Sequence, residues 1–466
     1  MRQISVVYLL CLFFIPVQLL KGQEQKDVVK TDTSIIAYKL IKNGRIFGRA
    51  RNYFSATVNQ GALTDYFAWA AGAGIGYESP VFFKHFSMGI SGFTQFNLWA
   101  SDMLKPDPTT RQVNRYEVGL FNLEDPNSGK DQTRLEELYF RFRAGRELSI
   151  TAGRQYPSSP FLNVQDGRMQ PTLIEAVVTD WKPNQNLAIH AEYIGKISPR
   201  STIKWFSVGN SMGVYPMGVN PNGSVSAYKN NITTYGIGVL GLTFTRNNWQ
   251  IQLWDTYLDQ VLNTSFAQVE WRSVPQAGFN WFAGAQAVFQ HTLANGGNPD
   301  PAKTYALPGA GAQVYSGRFG RQAKSFSWFV NLTRITDRGR YLMPREWGKE
   351  PFYTFMPRER NDGFGDLSAI SINTALQLRP DLNLEISGGY YQLPDVKNYN
   401  LNKYGMPSYT QLNLSVTHKF GQYLRGLSTR LLLVRKDATG ETYQNMKFIF
   451  NKVNMAHLNL ITNYQF

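Results

Sequence analysis

The chain has 466 residues, of which only 17% are charged, and 48 Lys+Arg against 33 Asp+Glu give a formal net charge of +15. A single cysteine, Cys11, excludes a disulfide framework and a thiolate metal site. A mean hydropathy of −0.31, with no apolar run of about 18 residues after the first 20, excludes a bundle of transmembrane helices.

Met1-Arg2 is followed by an apolar run from Ile4 to Leu20, broken at Pro16, and then by Lys21-Gly22-Gln23-Glu24. A basic start, a short apolar core and a small residue before a polar stretch predict a secretory signal peptide over residues 1–22, cleaved after Gly22. An uncleaved anchor is the rival reading, but about 20 clean apolar residues are wanted for a span. Cys11 lies inside this run. Loss of Arg2 and Lys21 with the leader takes the +15 of the whole chain to +13. Residues 23–43 read as a short N-terminal arm rich in Lys, Asp and Thr.

From residue 44 to 466 the sequence reads as one strand after another. The clearest lie at Arg45–Thr57, Ala68–Glu78, Phe86–Ala100, Arg134–Arg143, Glu147–Arg154, Leu187–Ile194, Thr234–Thr245 and Trp249–Leu258. They continue at Thr264–Arg272, Phe279–Gln290, Phe326–Ile335, Leu367–Leu378, Leu382–Tyr391, Tyr409–Phe420, Ser428–Lys436 and the C-terminus. Weaker candidates at Thr172–Trp181 and Gly311–Arg318 make 16 to 18 strands. Tight connections (144–146, 246–248, 379–381) alternate with long ones (102–132, 195–232, 296–310, 337–365, 394–408). Short turns at one end and long loops at the other are the pattern of an outer-membrane barrel. The expected fold is therefore all-β, a single transmembrane antiparallel β-barrel of 16–18 strands. Aromatics at 14% suit the two girdles of such a barrel.

Period-2 alternation sorts the faces. In the last strand Leu458, Leu460, Thr462, Tyr464 and Phe466 share one face, opposite Asn459, Ile461, Asn463 and Gln465. Termini usually fray, so a final strand ending on an aromatic marks Tyr464 and Phe466 as an assembly signal for the barrel machinery. An edge strand of a soluble sandwich is the alternative. In Phe279–Phe289 the face Phe279, Trp281, Ala283, Ala285, Ala287 and Phe289 is wholly apolar. In Leu135–Arg143, Leu138, Phe140 and Phe142 oppose Glu137, Tyr139, Arg141 and Arg143.

The first strand decides how the positive charge is read. Arg45, Arg49 and Arg51 alternate in phase with Tyr53. An arginine on the lipid face costs about 2–4 kcal/mol near the midplane, which places all three in the lumen together with Arg141 and Arg143, these two with Glu137 as a partner; the alternative is that the arginines merely neutralise lumen carboxylates or sit at the interfaces. A basic lumen concentrates anions. Binding of anionic lipopolysaccharide is a less specific use of the same charge. No nucleic-acid module is present.

The segment Gly153-Arg-Gln-Tyr-Pro-Ser-Ser-Pro-Phe-Leu-Asn-Val-Gln-Asp-Gly-Arg-Met-Gln-Pro171 resembles the OprD family of outer-membrane porins, through Gly153, Pro160, Asp166, Arg168 and Pro171 in order. Arg51-Asn-Tyr-Phe54 resembles that family's first strand. The stretch from Arg345-Glu-Trp347 to Asp366-Leu-Ser-Ala369 is similar, more loosely, to its late loop and the strand after it. The resemblance spans most of residues 44–466. It implies an 18-stranded barrel, monomeric or loosely trimeric, with an eyelet of inward-folded loops. It also implies a ladder of basic residues for small carboxylate-bearing solutes, to which Asp166 and Arg168 are carried over. Gln170 before Pro171 and a different set of acidic loop residues depart from the pattern and leave the solute open.

The five histidines (His85, His190, His291, His418, His457) show no metal-ligand spacing. There is no nucleophile elbow or phosphate-binding loop. Ala71-Gly-Ala-Gly-Ile-Gly76 continues as a strand, which makes it close packing rather than dinucleotide binding. No cofactor is expected. The reading is a passive porin in the outer membrane of a Gram-negative cell, whose partners are small solutes, membrane lipid and lipopolysaccharide, and the assembly machinery. A barrel hydrolase or an adhesion barrel with long surface loops is the alternative.

Overall fold

The computed structural model describes residues 42–128, 132–165 and 168–466. The expected signal peptide, the arm up to residue 41 and Asp166 lie outside the described residues. The unit Gly44–Phe466 contains all the strands described.

These are β1 (Arg45–Asn59), β2 (Tyr66–Glu78), β3 (Phe86–Ala100), β4 (Gln132–Ala144), β5 (Leu148–Gln155), β6 (Leu173–Trp181), β7 (Leu187–Ser198), β8 (Phe206–Ser207), β9 (Ile237–Arg246) and β10 (Trp249–Leu258). Then follow β11 (Leu262–Arg272), β12 (Phe279–Thr292), β13 (Gly311–Ala323), β14 (Phe326–Ile335), β15 (Leu367–Arg379), β16 (Leu382–Gln392), β17 (Tyr409–Lys419), β18 (Leu427–Ala438) and β19 (Met455–Gln465). Eighteen of them form a closed antiparallel barrel. β7 pairs directly with β9, and the two-residue β8 is a stub on β7. The two weaker sequence candidates are β6 and β13, so the barrel takes the upper of the expected strand counts.

Closure runs from Arg49 opposite Gln465 to Asn59 opposite Met455. At its end Gly48 N–H donates to the Phe466 carbonyl and Phe466 N–H to the Gly48 carbonyl, both at 3.1 Å. A methyl group at Gly48 would overlap the Phe466 ring, so glycine here makes room for the last aromatic. Tyr464 and Phe466 face outward and sit 6.0 Å apart.

Alternation places the faces as the sequence predicts. On β19 His457, Asn459 and Ile461 are buried while Leu460 and Tyr464 are exposed. On β1 Arg51, Tyr53, Ser55 and Thr57 are buried while Ile46 and Val58 are exposed. The outward aromatics cluster: Trp281 stacks on Phe319 at 5.3 Å and meets Trp328 edge-on at 6.2 Å. One register change matters for the interior. A bulge where Ser91 and Gly92 face Glu137 and Leu135 shifts the phase of β4. Both Glu136 and Glu137 therefore turn inward, and Arg134 joins them as the largest fully buried side chain.

Turns at 145–147, 247–248 and 380–381 close the end that carries both strand termini. Long loops at 101–131, 156–172, 199–236, 293–310, 336–366, 393–408 and 439–454 leave the other. The second and the last of these are not among the long connections expected from the sequence. Loop 336–366 lies along the inner wall. Gln290 of β12 donates to the Leu342 carbonyl (2.8 Å), Gln286 to Pro351 (3.0 Å) and Gln411 of β17 to Pro357 (2.7 Å). Its Tyr341, Met343, Phe352, Met356 and Phe364 form a buried apolar cluster with Tyr391 and Tyr409 of the wall. The hydrophobic core is thus loop against wall.

Candidate functional site

Inside the barrel the loops enclose a cavity of about 640 Å³. Every described residue that lines it belongs to a loop, not to a strand. Seven arginines and three lysines line it against one carboxylate, Glu359, among the described residues.

Two of the arginines come from a short sequence repeat that the sequence reading passed over. Met-Pro-Arg-Glu occurs at Met343–Glu346 and again at Met356–Glu359. In both copies the methionine is buried in the loop core, the arginine faces the cavity and the glutamate is a buried anchor. Glu346 accepts the N–H groups of Gly213 (2.5 Å) and Val214 (3.1 Å), tying loop 199–236 to loop 336–366. Glu359 accepts from Arg115 at 3.1 Å and from Lys436 of β18 at 2.9 Å. Burial opposes its charge, yet Arg115 and Lys436 hold the Glu359 carboxyl well below the ordinary carboxylate range.

Arg345 pairs with Asp362 at 2.9 Å and lies 3.7 Å over the ring of Tyr404. Arg200 and Arg360 both donate to the Arg345 carbonyl, at 2.7 and 2.8 Å. Arg358 sits at φ +82, a conformation that costs a non-glycine residue of order 1–3 kcal/mol. It is held there by its donations to Tyr53 Oη and to Asn459. Arg200 lies 4.9 Å over Tyr215. Burial raises the Tyr215 phenol, but Arg200 and Arg168 outweigh it and bring the phenol below its ordinary value. Converging guanidinium groups, ammonium groups and phenols of this kind present hydrogen-bond donors suited to carboxylate and phosphate oxygens.

Of the residues singled out in the sequence, Arg168 lines the cavity, beside Gly119, where a side chain would collide with it. The strand residues lie elsewhere. Arg49 donates to both oxygens of Glu136 (2.8 and 2.9 Å), and Arg45 pairs with Glu78 at 2.9 Å near the short-turn end. Arg141 reaches Glu78 at 3.4 Å and lies over Tyr139. Arg51 is buried with its guanidinium 5.4 Å from the Tyr53 ring, and Arg143 is half-buried on the same face of β4 as Arg141. Arg168 thus lines the cavity with the loop cations, and Arg45, Arg49 and Arg51 are not among the residues that line it.

A Thr/His/Glu constellation also occurs. Thr57 Oγ1 lies 2.7 Å from Glu117 and 2.7 Å from His457 Nδ1. All three side chains are wholly buried, and Ser55 and Asn114 also donate to Glu117. The cluster pins loop 101–131 to the wall and offers no access to a substrate.

An 18-stranded barrel with loops folded onto its inner wall is the class this geometry defines. No protein-family model matches the chain, and no curated protein matches it. Among solved structures the chain is similar to OpdK of Pseudomonas aeruginosa, crystallised with vanillate, with a TM-score of 0.70 and 13% identity over 92% of this chain and 99% of that one. It is similar to OccK9 (OpdG) of the same organism, TM-score 0.71 and 14% identity over 91% and 99%. OccK2 (OpdF), in complex with glucuronate, gives 0.67 and 12% over 91% and 98%. These neighbours are OprD-family porins, and the fold is the one that the sequence resemblance implies.

Proposed function

We propose that the chain is an outer-membrane porin, a passive channel for small anionic, carboxylate-bearing solutes, and that the loop-lined cavity is where it selects them. The observation that carries this reading is the charge of the cavity wall, ten cationic residues against one carboxylate among the described residues. A cation-rich chamber inside a low-dielectric barrel focuses its field and raises local anion concentration. The apolar outward face of the strands suits a lipid surround, and closure removes the sheet edges that lipid cannot solvate. The fold shared with porins crystallised with vanillate and with glucuronate, both carboxylates, supports the same reading. Residues 1–22 act in it as a cleaved export signal, and Asp166 with Arg168 as part of the constriction. Reversal potentials in planar bilayers under a potassium chloride gradient test it: the current is expected to be carried mainly by chloride. A cation-selective pore, or no pore, overturns it.

A further inference from the structure

Resting on that reading, we propose that Lys403 and Lys452 form a carboxylate subsite of the cavity that is filled together with a proton. Both line the cavity, and both flank the turn Tyr404–Gly405. The backbone of Lys403 is clamped between two other loops, its N–H donating to Gly363 (3.0 Å) and its carbonyl accepting from Val219 (2.9 Å). Its ammonium lies 4.9 Å from the ring centres of Tyr228 and Tyr305 and 5.8 Å from that of Tyr404. Aromatic faces attract a cation but supply no counter-charge. The Lys452 ammonium donates to two carbonyls, Gly405 (3.2 Å) and Lys447 (2.9 Å), which are likewise uncharged.

The charged groups facing each lysine leave it short of anions. Around Lys403 stand Arg340, Arg345, Asp362 and Glu346 of loop 336–366; around Lys452 stand Arg115 of loop 101–131, and Arg345 and Glu359. Asp362 is committed to Arg345, Glu346 to two backbone N–H groups, and Glu359 to Arg115 and Lys436. Neither lysine has an ion pair among the described residues. Burial, with Arg340, pushes Lys403 down to about 7, and burial, with Arg115, pushes Lys452 down to about 7.

A solute carboxylate brings the missing charge. It stabilises the ammonium over the amine, so binding above pH 7 draws a proton onto lysine, whereas below pH 7 the proton is already there. Apparent affinity is then flat on the acid side and falls about tenfold per pH unit above 7 for each proton taken up.

The test is block of the chloride current of the full chain by glucuronate, whose carboxyl stays ionised from about pH 5.5 to about pH 9. Half-block concentration is expected to be constant at low pH and to rise about tenfold per unit above 7. Lys403→Arg with Lys452→Arg, charged throughout, is expected to bind as tightly at the alkaline end as at the acid end. Lys403→Met with Lys452→Met is expected to bind weakly and without pH dependence. Glu350, pushed up to about 8 by burial and Asp362, is another group of loop 336–366 that titrates in this range, and Glu350→Gln is expected to keep the wild-type profile. A pH-independent wild type, an arginine pair that still loses affinity at alkaline pH, or a Glu350→Gln profile that is flat overturns the subsite. A pore that is not anion-selective at any pH overturns instead the function on which it rests.

Discussion

Replacing Glu359 by Gln tests whether the loop lining of the lumen is anchored by charge. Glu359 is buried and receives two cations, Lys436 of β18 and Arg115 of loop 101–131, at 2.9 and 3.1 Å. Glutamine keeps the shape and one carbonyl oxygen but leaves both cations unmatched, and Lys436 has no route to water at 0% side-chain exposure. Breaking one side of a buried pair costs about 3–5 kcal/mol. Loop 336–366 has other anchors in Gln290, Gln286 and Gln411, so the cost falls on local detachment and not on the barrel. A loss of that size raises the detached population about a hundredfold or more. The Glu359→Gln channel is expected to be noisier and of higher mean conductance in bilayer recordings, with trypsin cutting within 336–366 while the barrel stays heat-modifiable on gels. The acid dependence has a fixed sign. Since the folded carboxyl lies below its ordinary value of about 4.3, its contribution is present above that value and is lost as pH falls through the lowered one. Wild type should therefore acquire the noise of the variant on acidification, while Glu359→Gln should change little. A Glu359→Gln channel with wild-type conductance and trypsin resistance would refute this account of the anchor.

Three further outcomes are expected. Purified protein in detergent should give a mostly β circular-dichroism spectrum and migrate anomalously when unheated; a helical spectrum sinks the barrel. Deleting Phe466 removes the hydrogen bonds with Gly48 and should lower outer-membrane levels more than it lowers the melting temperature of the protein that assembles, as should Gly48→Val; normal levels of both count against an assembly role. Replacing Arg45, Arg49 and Arg51 together by Gln strips cations from the wall and leaves Glu136 and Glu78 with Arg134 and Arg141 as partners. The reversal potential should then shift toward cations at about 0.1 M salt and recover near 1 M, where the Debye length shrinks from about 10 Å to 3 Å; an unchanged potential places that row outside the conduction path.

Much of the barrel was legible because a strand states its orientation every second residue. Arg49, Arg51 and Tyr53 point inward as their phase predicts, and Phe279–Phe289 shows its apolar face outward. The phase of β4 was legible only below its bulge. A single extra residue at Glu136 reverses the rule, which is why Arg134 and Glu136, now the most buried charges of that wall, were not seen. The cavity was largely illegible. Its lining comes from loops far apart in sequence, with no period to read, and only Arg168 could be carried over from a motif. The one local signal available was the doubled Met-Pro-Arg-Glu.

That doubling supplies two of the ten cations that line the cavity, and it shows how a loop separates charges that a strand pairs. On the strands several cations have a carboxylate close by: Arg154 pairs at 3.1 Å with Glu175, its direct partner across the β5–β6 ladder, while Arg49 of β1 reaches Glu136 of β4 and Arg141 of β4 reaches Glu78 of β2 over the strands between them. In the repeat the arginine and its own glutamate are adjacent yet diverge. The glutamate is consumed in holding loops together, by backbone N–H groups in the first copy and by Arg115 and Lys436 in the second. The arginine is left facing the cavity. Exchanging the two residues within the first copy, Arg345 and Glu346, to Met-Pro-Glu-Arg, keeps composition and net charge unchanged while turning a carboxylate to the cavity and a cation to the anchor. Anion preference in such a swap should fall although no charge has been removed, and a preference equal to wild type would show that total charge, and not its placement by the loops, governs passage.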